Sequence, residues 1–155
     1  MPLLRAALSW NFVLATAICA SLLAQLIKVL LNLFIFHRFI AERMWGAGGM
    51  PSSHSATVCA MVVASGRYCG VNSPIFAIAA VLSIIVMYDA MGVRYETGEQ
   101  AKVLNRMFTE WMDQGFEQFQ LPHGKKLKEM VGHTPIEVVT GAALGIVLGF
   151  AMPMV

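Results

Sequence analysis

From Leu8 to Ile27 the chain runs 20 residues without a charged side chain. A helix rises about 1.5 Å per residue, so this stretch matches the roughly 30 Å hydrocarbon core of a bilayer. It stays apolar past Lys28 to Phe36, which favours a retained span over a cleaved signal peptide. Composition points the same way. Of 155 residues, 57% are hydrophobic and only 13% charged, where a soluble domain carries about a quarter charged. The chain is therefore expected to be all-α, a single integral membrane helical bundle over residues 1–155. A net charge of +2 is too small to argue for nucleic-acid binding.

Four spans are predicted, over 8–36, 53–70, 74–93 and 134–154. Within the first, Gln25, Lys28 and Asn32 share one helix face, and a polar stripe in a span should face protein or water. Between the last two, residues 98–121 carry Leu104, Met107, Phe108, Trp111, Met112, Phe116 and Phe119 at helical spacing among charged and amide side chains. That pattern predicts an amphipathic helix lying on the membrane surface or on the rest of the protein. Gly141, Gly145 and Gly149 recur every fourth residue and would allow close helix packing, including a homo-oligomer. Cys19, Cys59 and Cys69 are odd in number and lack C-x-x-C spacing, so buried free thiols are expected.

Basic residues sort the loops. Arg38, Arg43, Arg94, Lys102, Arg106, Lys125, Lys126 and Lys128 fall on one side, Arg5 and Arg67 on the other. The positive-inside rule then places the long loop in the cytoplasm and both termini outside.

Two polar, proline-bearing segments lead into apolar runs on that cytoplasmic side. They are Gly48-Gly49-Met50-Pro51-Ser52-Ser53-His54-Ser55 and Gly132-His133-Thr134-Pro135-Ile136-Glu137. Helix starts present unpaired N–H groups and the positive end of the helix dipole, which suits an anion. His133 and Glu137 are four apart, so the carboxylate can fix one imidazole nitrogen and leave the other free as a nucleophile. His54 would act as the acid. Ser52, Ser53 and the following N–H groups would hold phosphate oxygens, with Lys28, Arg94 or Lys128 neutralising charge. A structural reading stands beside this one. Thr134-Pro135-Ile136-Glu137 is a capping box with proline at the first helical position, and Pro51-Ser52-Ser53 is an ordinary helix start. Asp89 either serves the site, pairs with Arg94 or sits at the membrane surface; Lys28 either snorkels or points inward. His37 and His123 read as solvated loop residues. The companion spacing of a metal site is lacking, so no metal is expected.

The segments GGMPSSHSATV, YDAMGVRYETGEQAKVLN and LKEMVGHTPIEVVTG, in that order, resemble the divergent branch of the type 2 phosphatidic acid phosphatase (PAP2) superfamily. That branch is related to acid phosphatases and vanadium-dependent haloperoxidases. The resemblance spans about Lys28 to Gly149. It implies a metal- and cofactor-independent phosphatase acting on lipid phosphates through a phosphohistidine. Lys28 then corresponds to the lysine of the first motif, Ser53 and His54 to the second, and His133 to the nucleophile of the third. Glu137 stands where the superfamily has aspartate, Ser53 where it usually has glycine, and Leu127 and Lys128 where the third motif opens with Ser-Arg. Arg38 is displaced from its usual spacing. A cytoplasmic site favours phosphatidylglycerol phosphate or phosphatidic acid as substrate. The alternative is a non-catalytic protein that binds, transports or scaffolds phospholipid headgroups.

Overall fold

A computed structural model describes residues 11–36, 49–114 and 125–154. Expectations resting on Arg5, His37, Arg38, Arg43, Gly48, Phe116, Phe119 and His123 fall outside those residues. The described chain is all-α. Its helices are α1 (Phe12–Phe36), α2 (Ser53–Cys69), α3 (Pro74–Met91), α4 (Val93–Asp113) and α5 (Pro135–Ala151).

Each helix starts where local chemistry dictates. Asn11 accepts the Leu14 N–H at 3.0 Å. Ser52 and Ser73 cap α2 and α3 through their hydroxyls, and Pro74 occupies the first turn of α3. Thr134 and Glu137 form the reciprocal capping box of α5. Such caps satisfy N–H groups that a helix start leaves without partners.

α2 is the central helix, packed against α1, α5 and α3. Its contacts are made by small side chains. Ala20 and Ala24 of α1 meet Ala56 and Ala60 of α2, with Leu144 and Leu148 of α5 against them. Gly141, Gly145 and Gly149 face α2 so closely that a Cβ at each would overlap Ser52, Ala56 or Val63. The glycine stripe is thus buried within the chain, and an oligomer formed through it would have to displace α2.

The large apolar residues point the other way. Leu14, Ile18, Leu22, Leu26 and Leu30 of α1 are exposed, as are Ile78, Val81, Leu82 and Ile85 of α3 and Val139, Ile146, Val147 and Phe150 of α5. Small residues inside and large ones outside is the arrangement of helices solvated by lipid, where burying bulk gains nothing over leaving it in the acyl chains. Phe12–Phe34 and the apolar part of Pro74–Asp113 are each long and apolar enough to cross a membrane; α5 is apolar but shorter. At the end of the bundle away from His54, Arg67 donates to the carbonyls of Gly149 (2.6 Å), Phe150 (3.1 Å) and Met152 (2.7 Å). It therefore caps the C-terminus of α5.

The amphipathic segment differs from the sequence pattern in two ways. The helix starts at Val93, directly after α3, because the break between them is confined to Gly92 (φ −104°, ψ −97°). Its buried face is Gly98, Ala101 and Asn105, at i, i+3 and i+7. The expected apolar face is divided: Leu104 (43%), Met107 and Met112 are exposed, while Phe108 and Trp111 are half-buried. What α4 buries against is the extended segment before α5.

Candidate functional site

The starts of α2 and α5 lie side by side, and Glu137 joins them. Its carbonyl accepts the Ser52 N–H at 3.0 Å. Its carboxylate accepts the Thr134 N–H at 3.0 Å and the Gly49 N–H, and sits 3.2 Å from His133 Nδ1. Gly49 reaches that carboxylate with φ +87°, a conformation glycine adopts without steric cost. One side chain thus holds both polar segments in register, a role that sequence spacing assigned only within its own segment.

His133 is 2% exposed. In the neutral ring, a carboxylate beside Nδ1 holds the proton on that nitrogen and leaves the lone pair on Nε2. Nε2 is buried and has no protein partner among the described residues. The His54 ring lies 6.0 Å away, centroid to centroid, tilted by 65°. His54 is exposed where His133 is buried, so one imidazole sits deep in the site and the other at its mouth.

Cations and a carboxylate surround the pair. Lys28 follows Ala20 and Ala24 on the packed face of α1, which carries it inward; it is 1% exposed. This resolves its two readings in favour of the interior. Its stem lies against Gly49 and its charge acts on Glu137. The ionised side chains whose fields reach His54 are Arg94, Lys28 and Asp89. Arg94 Nε meets Asp89 Oδ2 at 2.5 Å across the Gly92 break. Beside Glu137 a cavity of about 150 Å³ is bordered by Gly49, Tyr95, Glu99, Glu129 and Gly132, room for several ordered waters.

Not every expected residue joins the cluster. Ser52 Oγ is committed to the Ser55 N–H (3.3 Å) and hydroxyl (3.1 Å), which makes it a cap. Ser53 is buried at the α2 start, and its carbonyl accepts the Thr57 hydroxyl. Lys128 is exposed on the segment along α4 and is not among the charges that act on His54.

Three contributors carried little sequence signal. The His133 N–H donates to the Ala90 carbonyl at 2.9 Å, an acceptor that the break at Gly92 leaves out of the helix ladder. Gly132 lets the chain touch the backbone of Arg94 and Tyr95, where a Cβ would overlap. Asn105 holds the segment before His133. Gly98 and Asn105 do lie in the second of the three ordered motifs, but nothing in composition marks them.

A profile of the Divergent PAP2 family matches residues 9–148. The chain belongs to the Divergent PAP2 family. A relative within its reach, the uncharacterized membrane protein YuiD of Bacillus subtilis (strain 168), is 38% identical over 144 residues, covering 89% of this chain and 91% of that one. No solved structure matches the chain. Family membership agrees with the ordered motifs, all of which fall inside the matched residues.

Proposed function

We propose that the chain is a membrane lipid-phosphate phosphatase working through a phosphohistidine. The observation that carries this reading is the pairing of a buried, unpartnered His133 Nε2 with the His54 ring 6.0 Å away. The two rings are close enough to act on one phosphoryl group, and Lys28 and Arg94 supply positive charge beside them.

In the first step the Nε2 lone pair attacks phosphorus. The N–P bond forms, the bond to the lipid oxygen breaks, and protonated His54 gives its proton to that leaving oxygen. Glu137 holds the proton on Nδ1 and stabilises the ring as positive charge develops. Lys28, Arg94 and the N–H groups at the α2 start balance charge on the non-bridging oxygens. In the second step His54, now neutral, takes a proton from water as the water attacks phosphorus. The N–P bond breaks and inorganic phosphate leaves. Asp89 orients Arg94. The positive-inside distribution supports a cytoplasmic site with both termini outside, hence phosphatidylglycerol phosphate or phosphatidic acid as substrate.

The test is phosphate release by purified protein, with a chelator present, from a panel of phosphatidylglycerol phosphate, phosphatidic acid and a polyprenyl phosphate. Release from at least one, lost in His133→Ala, is expected. No release from any, or equal release by His133→Ala, overturns the reading. The exposed position of Lys128 favours one second reading, a site that binds a headgroup without turning it over. Headgroup binding that survives His133→Ala, with no turnover by the wild type, would select it.

A further inference from the structure

Asn105 is 4% exposed, and its amide is used on both sides. Nδ2 donates to the Leu127 carbonyl at 2.9 Å and to Glu129 Oε1 at 2.8 Å, while Oδ1 accepts the Leu127 N–H at 2.8 Å. The side chain thus pairs with both backbone groups of one residue, as a neighbouring strand would. It stands apart from the cluster of histidines and cations, yet it grips the segment that delivers His133.

The same segment is held at further points toward the histidine. The Glu129 carbonyl lies against Gly98, on the face that also carries Asn105, so closely that a Cβ there would overlap it. Gly132 lies against the backbone of Arg94 and Tyr95. The next residue, His133, donates its N–H to Ala90. These contacts are made by backbone or by absence of a side chain. Among the described residues, the Asn105 side chain is what pairs by hydrogen bonding with a chosen residue of the segment along α4.

We propose that Asn105 is a positioning residue for His133: it sets the register of residues 127–132 on α4 and thereby the placement of the imidazole opposite His54. The catalytic consequence rests on the phosphatase reading; the positional one does not. Without this amide the segment keeps the close contacts at Gly98 and Gly132 and the His133 N–H bond, but Leu127 loses its backbone pairing to α4. A displacement of about 1 Å at a reacting nitrogen costs on the order of a hundredfold in rate.

Two variants test this. Asn105→Asp keeps the acceptor for the Leu127 N–H, loses both donors and sets a carboxylate against that of Glu129. Adding Glu129→Gln returns a donor from the opposite side. On whichever panel lipid the wild type hydrolyses fastest, N105D is expected to lower kcat roughly tenfold to a hundredfold with little change in KM. The N105D/E129Q pair should recover most of the loss. In parallel, diethyl pyrocarbonate labelling read by mass spectrometry should quicken at His133 in N105D and slow again in the pair, with His54 as the unchanged reference. Wild-type kcat and labelling in N105D would overturn the proposal. So would a failure of the pair to recover either readout, or labelling of His54 that rises in step with His133, which would mean general loosening. A wild-type protein that releases no phosphate sinks the phosphatase reading alone, and the labelling still decides the role of Asn105.

Discussion

Lys28 and His54 ride on helices whose meeting faces are Ala20, Ala24, Ala56, Ala60, Gly141 and Gly145. His133 arrives instead on a segment without secondary structure, hydrogen-bonded to α4 through the Asn105 amide and to α3 through its own N–H. The first side is held by dispersion between closely apposed backbones, which leaves no room for an added atom. The second is held by individual hydrogen bonds, which can be removed singly. A site assembled from both should therefore fail in two distinguishable ways: collapse of the bundle, or misplacement of one imidazole within an intact bundle.

The sharpest break in that contrast comes from the packed side. Gly145→Leu puts a side chain where the Ala56 carbonyl already sits. Overpacking that forces backbone apart costs about 3 kcal/mol or more, so the detergent-solubilised protein should lose its cooperative melting transition. On the other side, Gly132→Val meets the Arg94–Tyr95 backbone, outside the small-residue contacts of Ala20, Ala24, Ala56 and Ala60. Melting of the bundle should be largely kept while, on the phosphatase reading, phosphate release falls at least tenfold. The smallest effect probes the join between the sides. Thr134→Ala removes one half of the α5 capping box and should cost about 1 kcal/mol, read as a modest drop in melting temperature. Glu137 stays in place in that variant, so activity below the melting range should change little. If Gly132→Val melts as badly as Gly145→Leu, the two sides are not separable and the contrast fails.

Much of this arrangement was legible beforehand because its signals are local. A capping residue, a proline at the first helical position and a histidine four residues from a glutamate are all read within one turn. The spacing of Lys28 with Gln25 and Asn32 marked a polar face on α1, while its burial decided between snorkelling and pointing inward. The unread parts depend on partners distant in the chain. Hydrophobic periodicity shows which face of α4 avoids water; Leu104 and Met107 have that property and are exposed, because lipid can serve as well as protein. The face that packs is Gly98, Ala101 and Asn105, which carries almost no hydropathy signal. The glycine stripe of α5 showed that something comes close, and only the fold shows that it is α2 of the same chain. Arg67 likewise finds its carbonyls at the far end of α5, where sequence reasoning assigned it only to one side of the membrane.

The interruption at Gly92 carries one more lesson. In an unbroken helix the Ala90 oxygen would belong to the amide of Arg94; here the amide of His133 has it. Two claimants compete for one acceptor. Any change that straightened this corner would hand the oxygen back to the helix and free the His133 backbone, so the irregularity helps to moor the buried imidazole.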